Sequence, residues 1–192
     1  MVIFPEGYSN LHRRVEELSK QYSIRSVLDL GCGPGYYVGF LSSSGYDAYG
    51  IDVGEDKFLA EFKERLKTGD ITALRDAFGD RLFDLIVSHN TLTVDPILFH
   101  MMGGTNSPQL GILNLRMLER QPSIFWEVRG SARKVVDLTL ESAFDQLNQG
   151  GFLVSCEEGG PNDKVDFSRQ TAERIGYRVL VYQQREAVLQ KP

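Results

Sequence analysis

Short apolar runs alternate along the chain with stretches in which apolar residues recur every three or four positions. The short runs are rich in β-branched and other apolar residues, so they predict buried strands. They are Ser26–Leu30, Tyr46–Ile51, Leu82–Ser88, Phe152–Cys156 and Tyr177–Gln183. The helical spacing predicts helices at Leu11–Tyr22, Tyr36–Ser44, Glu55–Lys67, Thr72–Phe78, Arg129–Asn148 and Phe167–Ile175.

This alternation is typical of an α/β fold, a doubly wound and mostly parallel sheet with helices on both faces. Asn10 is the predicted N-cap of the first helix, and Gly150–Gly151 are predicted to end the long helix. No repeat, charge block or low-complexity linker divides the sequence. We therefore expect residues 1–192 to form one domain.

The segment 93–126 departs from the alternating pattern. It contains a glycine pair, prolines and several large apolar side chains, and it is predicted to be partly helical, with its main helix at Leu110–Leu118. Connections this long inside a compact domain are usually functional or disordered, and the apolar content favours a function. The segment is therefore predicted to be an insertion that acts as a lid over a binding site.

Composition excludes several classes of protein. The chain has 192 residues and a net charge of −5, which argues against strong binding to nucleic-acid phosphates. No apolar run is long enough to span a membrane, and no secretory leader is visible at the start. The two cysteines, Cys32 and Cys156, cannot build a disulfide framework. A cytoplasmic enzyme without a membrane partner is expected.

Glycines cluster after the first predicted strand, at Gly31, Gly33 and Gly35. The Gly-Lys-Ser/Thr of a phosphate-binding P-loop is absent, and Tyr36 stands where the dinucleotide fingerprint has its last glycine. A nucleoside-binding loop remains, at the edge of the sheet where such folds bind ligands. Asp52 ends the second strand, where a carboxylate can accept hydrogen bonds from both hydroxyls of a ribose.

The stretches VLDLGCGPGYY and YGIDVGE resemble motif I and the acidic loop of class I S-adenosylmethionine-dependent methyltransferases. The resemblance implies a Rossmann-like methyltransferase fold with six to seven strands and S-adenosylmethionine as cofactor. The third strand would be very short, because Gly69-Asp70 follows the Glu55–Lys67 helix almost directly. Residues Ala187–Lys191 leave room for at most a short form of the antiparallel seventh strand.

The resemblance also assigns cofactor-binding residues. Gly31, Cys32, Gly33 and Gly35 would surround the methionine part of the cofactor, with Asp29 near its amino group. Asp52 would bind the ribose and Val53 would pack on the adenine, while Asp70 and Ile71 would recognise the adenine edge. Ser88, His89 and Asn90 would face both the methionine moiety and the acceptor. The Asn-Pro-Pro-Tyr signature of amino-methylating nucleic-acid and glutamine enzymes is absent there.

Methyl transfer from a sulfonium is an in-line displacement, so positioning supplies most of the catalysis. A base is needed only when the acceptor loses a proton on attack. His89 is the first candidate and His100 the second, with a structural role open for both. No carboxylate stands at the turn after the fourth strand, so no metal is expected. Glu157 and Glu158 are predicted to lie in a solvated loop.

The acceptor pocket is expected to lie beneath the 93–126 segment and beside the N-terminal helix. Its predicted wall residues are Tyr8, Phe99, Met101, Met102 and Trp126, which alternatively fill a minor core. Such walls favour methylation of an oxygen or nitrogen atom of a small organic molecule. A non-catalytic or regulatory binding module is the alternative, and an RNA or protein methyltransferase is a weaker one. A homodimer is left open.

Overall fold

A central sheet of seven strands organises the part of the chain that the structure describes. The structure is a computed structural model, and it describes Pro5 and residues 7–54, 58–92, 122–157 and 165–192, with 122–126 as backbone only. The strands are β1 (Ser26–Leu30), β2 (Asp47–Asp52), β3 (Leu66–Thr68), β4 (Phe83–His89), β5 (Leu147–Cys156), β6 (Arg178–Gln183) and β7 (Glu186–Gln190). The helices are α1 (Ser9–Gln21), α2 (Tyr36–Ser43), α3 (Leu74–Phe78), α4 (Pro122–Gln146) and α5 (Arg169–Ile175), with 3₁₀ turns at Ala60–Arg65 and Ile71–Ala73.

The strand order is β3-β2-β1-β4-β5-β7-β6. The pairs from β3 to β5 are parallel, while β7 pairs antiparallel with both β5 and β6. The predicted doubly wound sheet is therefore confirmed, including the short third strand and the antiparallel seventh. The carboxyl ends of β1, β2, β4 and β5 share one edge, here called the carboxyl edge. The order reverses between β1 and β4, which places a ligand crevice at that point of the edge.

Helices cover both faces of the sheet, as the alternation predicts. On one face, α1 and α2 bury residues such as Leu11, Val15 and Tyr37 against the sheet. On the other face, α3, α4 and α5 close a second core. Helix α1 is also tied to β7, because the Arg14 guanidinium donates to both carboxylate oxygens of Glu186. This anchor fixes the N-terminal end of α1 beside the carboxyl edge.

The predicted helix at Glu55–Lys67 is wrong over its described residues, 58–67. Residues Ala60–Arg65 form a 3₁₀ turn with no buried side chain, and the chain then enters β3. Leu66 pairs with Gly50 of β2 and is buried against the glycine loop, so an extended backbone is needed where the helical pattern continues. Burial of Leu66 in the sheet outweighs the helix propensity of the charged residues before it.

The long helix is displaced towards the N-terminus relative to its prediction. It begins at Pro122, a residue favoured at the first helical position, and ends at Gln146. Gly150–Gly151 therefore do not end it. They lie inside β5, where the register against β4 shifts between Leu147 and Phe152. A Cβ on Gly151 would lie 2.9 Å from the Asn148 carbonyl oxygen, so this bulge needs glycine.

The other differences are small. Helix α1 begins one residue before Asn10, and no side chain caps its N-terminus, so the predicted cap is wrong. The remaining predicted helices and strands start or end within a few residues of their observed bounds. The predicted helix Leu110–Leu118 lies outside the described residues.

Candidate functional site

The loop of residues 31–35 lies at the carboxyl edge, where the strand order reverses. The backbone N–H groups of Gly31 and Cys32 donate to the Ile51 carbonyl oxygen at 2.8 and 3.1 Å, which ties the loop to β2. The Gly35 N–H closes the turn on the Cys32 carbonyl oxygen at 3.0 Å. Helix α2 starts directly after it. The loop is thus a rigid connection between β1 and α2.

Two glycines of this loop serve different needs. A Cβ on Gly31 would lie 2.3 Å from the Thr91 hydroxyl oxygen, so glycine lets the loop approach the end of β4. Gly33 has a φ of +51°, and no described atom lies within 4 Å of the position of a Cβ there. Gly33 therefore adopts a left-handed backbone beside open space, which its missing side chain leaves accessible to a ligand.

Asp52 joins the end of β2 to the glycine loop. Its Oδ2 accepts from the Gly33 N–H at 3.0 Å and its Oδ1 accepts from the Gly54 N–H at 3.1 Å. A carboxylate has about four lone-pair positions, so these two bonds orient the group and leave lone pairs for further hydrogen bonds. The next residue, Val53, exposes 45% of its surface beside this carboxylate.

Asp29 lies beneath the loop on β1 and is 1% exposed. Neither of its carboxylate oxygens has a hydrogen-bond partner among the described residues. Burial, and secondarily the charge of Asp52, raises the pKa of Asp29 well above its ordinary value. A buried carboxylate without donors costs stability, so it is typical of a group that receives its partner from a ligand.

An aromatic cluster stands over the end of β4. The Tyr8 ring lies against the His89 ring, with centroids 4.1 Å apart, and against the Tyr37 ring at 4.6 Å. Burial, with smaller contributions from Asp29, Cys32 and Asp52, raises the pKa of the Tyr8 phenol. These neighbours place Tyr8 and His89 with the glycine loop, so the structure brings both predicted residues to one site.

The residues assigned to the adenine lie at the neighbouring strand, β3. Asp70 is exposed, and its Oδ1 accepts from the backbone N–H and the hydroxyl of Thr72, both at 2.8 Å. It thereby caps the 3₁₀ turn that begins at Ile71. Asp70 and Ile71 are therefore at the carboxyl edge, three strands away from His89, with β2 and β1 between them.

Ser88 and Asn90 flank His89 but are oriented differently. Ser88 is fully buried and lies opposite Leu30 and Ser155 in register, on the sheet face that α4 covers. The structure therefore separates its side chain from that of His89, which is on the other face. Asn90 has a φ of +55°, and its N–H donates to the Cys156 carbonyl oxygen at 3.1 Å.

Other predicted residues cannot be placed. Phe99, His100, Met101 and Met102 lie outside the described residues, and Trp126 is described only as backbone of α4. In the described ranges, no three His, Cys, Asp or Glu side chains form a group that could hold a metal ion. Within the same ranges, no helix is both long and apolar enough to cross a membrane.

Glu157 was not identified from the sequence as part of a built site. The prediction of a solvated loop is wrong for it, because the side chain is 1% exposed and its Oε1 accepts from the Ser155 hydroxyl at 3.0 Å. Glu158 lies outside the described residues. The only sequence signal for Glu157 was its position at the end of a buried strand, which fixes its location at the carboxyl edge but not its burial.

A cleft of about 560 Å³ opens beside this end of the sheet. It lies between the start of α1, the end of β5 and the turn joining β6 to β7. Its lining residues are Asn10, Arg13, Cys156, Glu157 and Gln183–Glu186. Cys156 lies opposite His89 in the β4–β5 register, so the cleft opens one strand away from the histidine. The sequence could not reveal this cleft, because its walls come from the two ends of the chain.

Comparison with known proteins agrees with this geometry. The family model of the methyltransferase domain matches residues 28–94, which include the glycine loop, Asp52 and His89. No curated protein matches the chain in sequence.

Solved structures show the same fold at low sequence identity. DesVI from Streptomyces venezuelae superposes with a TM-score of 0.59 at 14% identity, covering 96% of this chain and 92% of that one. Magnesium protoporphyrin IX methyltransferase from Synechocystis, with bound S-adenosylmethionine, gives 0.57 at 13% identity, covering 96% and 79%. A methyltransferase from Archaeoglobus fulgidus gives 0.56 at 12% identity, covering 97% and 95%.

The fold is therefore that of the Rossmann-like methyltransferases. Together with the methyltransferase-domain model that matches residues 28–94, this fold supports a class I S-adenosylmethionine-dependent methyltransferase. The same findings support S-adenosylmethionine as the cofactor, and a methyltransferase domain implies a methyl acceptor.

Proposed function

We propose that the protein methylates an oxygen or nitrogen atom of a small organic molecule and that His89 serves as the base. The observation that carries the proposal is the position of His89. His89 ends β4, its ring lies against Tyr8, and its partner in register, Cys156, lines the cleft of about 560 Å³. A cleft of this size fits a small molecule, and pockets for such ligands typically range from about 300 to 1,000 Å³.

The described residues fit the cofactor. Asp52 is held by the two N–H groups of Gly33 and Gly54 and keeps lone pairs for the two ribose hydroxyls. The open space at Gly33 accommodates the methionine part beside the backbone. Asp29, a buried carboxylate without donors, would pair with the ammonium of the cofactor.

The remaining cofactor assignments are supported by the positions of the residues and not by specific contacts. Val53 is exposed next to Asp52, where an apolar side chain can cover one face of the adenine. Asp70 and Ile71 follow β3 at the same edge, with Asp70 able to accept from the adenine amino group. Cys32, Gly31 and Gly35 shape the loop itself. Ser88 is assigned a supporting role only, because its side chain belongs to the other face of the sheet.

S-adenosylmethionine supplies a methyl group on a positively charged sulfur, which leaves as a neutral thioether. The task of the protein is to hold an acceptor lone pair in line with that methyl group. A hydroxyl acceptor must lose a proton as the new bond forms, and an ammonium acceptor must lose one beforehand to gain a lone pair. The imidazole of His89 is suited to take that proton. Glu157, buried beside the cleft, would orient the acceptor from the opposite side.

Several parts of the expected acceptor site stay predictions. Tyr8 is in place, whereas the roles of His100, Phe99, Met101, Met102 and Trp126 rest on the sequence alone. We keep residues 93–121 as the proposed roof of the acceptor site, with residue 122 onwards belonging to α4. A single domain over residues 1–192, a cytoplasmic location and a homodimer are likewise untested.

An acceptor screen with tritiated S-adenosylmethionine tests the proposal. Pools of small hydroxyl- and amine-bearing compounds are compared with bulk RNA and with unfolded protein as acceptors. Transfer of label to a small compound, lost on heat denaturation of the enzyme, is the expected result. Label found only in RNA or protein would contradict the small-molecule proposal. Tight cofactor binding without transfer to any of the three would favour the binding-module alternative.

A further inference from the structure

A second cleft, of about 490 Å³, opens on the face of the sheet that α4 and α5 cover. Its walls come from α4, from the segment leading into α5, and from the end of β6 with the turn that follows. Its lining residues are Arg133, Val165–Ser168 and Tyr182–Gln184. Gln183 and Gln184 also line the cleft of about 560 Å³, so the two clefts lie on either side of the β6–β7 turn.

The apolar wall of the second cleft is held by contacts within the protein. The Tyr182 hydroxyl donates to the Phe167 carbonyl oxygen, and the two rings meet edge to face with centroids 6.1 Å apart. The Val165 N–H donates to the Gln184 carbonyl oxygen at 2.9 Å, which ties the segment before α5 to the turn. Phe167 is 1% exposed, whereas Tyr182 exposes 38% of its surface. The Tyr182 ring is therefore the apolar surface available to a ligand, and another ring can pack on it.

Charges of both signs line the same cleft. Arg133 is exposed at the rim, and among the residues that the structure describes no carboxylate forms an ion pair with it. Asp166 is 8% exposed, so its carboxylate is largely buried in the wall. A carboxylate has about four lone-pair positions, so Asp166 can accept from a ligand as well as from its own neighbours. The cleft thus offers a cation and an anion that are not paired with each other.

This combination defines the chemistry of the ligand. A guanidinium binds a carboxylate through two parallel N–H donors, and a carboxylate binds an ammonium. We propose that the second cleft binds a small zwitterion of the amino-acid class. Its carboxylate would contact Arg133, its ammonium Asp166, and its apolar or aromatic side chain the Tyr182 ring. A volume of about 490 Å³ is within the range of small-ligand pockets, about 300–1,000 Å³.

The position of the second cleft makes this ligand a neighbour of the methyl acceptor and not the acceptor itself. β5 and β7 lie between β4, which carries His89, and β6. The ligand would rest against the β6–β7 turn, which also walls the other cleft. The proposal therefore depends neither on the role of His89 nor on the assignment of the cofactor residues.

Titrations with three related probes test the ligand class. L-phenylalanine carries both charges, phenylpropionate lacks the ammonium, and phenethylamine lacks the carboxylate. Binding is followed through the backbone amide resonances of isotope-labelled protein. S-adenosylhomocysteine is present throughout, because the cofactor site is otherwise a second place for an amino acid. We expect L-phenylalanine to bind at least about threefold more tightly than either analogue, with resonance shifts at Tyr182 and Gln184.

Arg133→Gln is the main variant, because it removes the charge of an exposed side chain and should leave the fold intact. Lys134→Gln is its matched control, since Lys134 is the next residue of α4, is also exposed and does not line the cleft. Arg133→Gln should bind L-phenylalanine no more tightly than phenethylamine, whereas Lys134→Gln should match the wild type. Asp166→Asn should bind L-phenylalanine no more tightly than phenylpropionate, and thermal unfolding checks that this variant folds.

Equal binding of the three probes, or unchanged binding of L-phenylalanine in Arg133→Gln, would overturn the proposal. Tighter binding of phenylpropionate than of L-phenylalanine would also overturn it, because the site would then be one for anions. If Asp166→Asn does not fold, the comparison of Arg133→Gln with Lys134→Gln still decides the outcome. Failure of the cofactor assignment would appear separately, as an absence of S-adenosylhomocysteine binding.

Discussion

The two halves of the carboxyl edge are built in different ways. On the β1–β2–β3 side, the site consists largely of backbone: a glycine loop, its N–H groups and the Asp52 carboxylate that they orient. On the β4–β5–β7 side, it consists of side chains, with His89, Tyr8 and Glu157 coming from different parts of the chain. The first half fits the constant part of the reaction, the cofactor. The second fits the part that differs between enzymes, the acceptor.

This difference shows which kind of site can be recognised from a sequence. A backbone site needs glycines at fixed spacing followed by an acid one strand later, and this pattern is local. A side-chain site needs only that distant residues meet, and it leaves no pattern of its own. Variants on each side should therefore fail in different measurements, rate on one side and cofactor affinity on the other.

The largest effect is expected at His89. His89→Ala should lower the methylation rate by about a hundredfold or more, because a positioned base contributes about 10²–10⁴-fold. Cofactor affinity should change by less than about threefold. His12→Ala is the control, since His12 contacts Tyr37 and Phe40 on the same sheet face. If His89→Ala lowered the rate and the cofactor affinity equally, His89 would belong to the cofactor site and not to the acceptor half.

The next effect is expected at Asp52. Asp52→Ala should weaken cofactor binding at least about tenfold, because hydrogen bonds to a charged group contribute roughly 1.5–3 kcal/mol each. Calorimetry with S-adenosylmethionine measures this directly. Asp47→Ala is the matched control at the opposite end of β2, where the carboxylate pairs with Arg65 and Arg81 on the surface. An unchanged dissociation constant for Asp52→Ala would reject the ribose assignment.

A smaller effect is expected at Gly33. Gly33→Ala should lower stability by about 1–2 kcal/mol, because alanine is strained in the left-handed region. It should also weaken the cofactor, since the added methyl group enters the open space of the site. Gly45→Ala is the control, with a φ of +93° and the same open surroundings after the far end of α2. The unfolding temperature should fall in both variants, but calorimetry should show weaker binding in Gly33→Ala alone; equal binding would place the cofactor elsewhere.

The smallest effect is expected at Asp29, where the substitution should raise the stability of the cofactor-free protein instead of lowering it. Because the pKa of Asp29 is higher in the folded state than in the unfolded chain, its ionised form costs stability. That cost begins above the unfolded pKa and grows until the pH passes the folded pKa. Asp29→Asn should therefore raise the unfolding temperature at pH 7 without cofactor and remove part of the stability loss on going from pH 4 to pH 7.

Asp29→Asn should at the same time weaken cofactor binding, because the ammonium loses its charged partner. The measurement is thermal unfolding with and without S-adenosylmethionine across that pH range. A lower unfolding temperature without cofactor would show that Asp29 has a partner that stabilises its charge.

Much of the fold could be predicted from the sequence, and so could the proximity of the glycine loop to Asp52. The runs at 26–30 and 82–88 are short and mostly apolar, which is typical of buried parallel strands, and both strands are confirmed. The glycine loop and Asp52 were predicted because backbone geometry restricts which residues can stand there. The resemblance to methyltransferases then indicated the cofactor, which the matched family model supports.

The errors have physical causes. Residues 58–67 read as an amphipathic helix because Phe58, Phe62 and Leu66 recur at helical spacing, yet Leu66 is needed in β3 beside β2. Gly150–Gly151 were predicted to end a helix, but glycine is common both after helices and in β-bulges, and here the pair lies in a bulge. The burial of Glu157 and the stack of Tyr8 on His89 depend on tertiary contacts between distant residues, for which no local pattern exists.

The link between Arg14 and Glu186 joins residues that are 172 positions apart. During synthesis, α1 leaves the ribosome long before β7, the strand to which it is tied. Because β7 is inserted between β5 and β6, the sheet on which α1 rests cannot be closed before β7 has been made. The anchor that holds α1, and with it the approach of Tyr8 to His89, therefore depends on a segment made about 170 residues later.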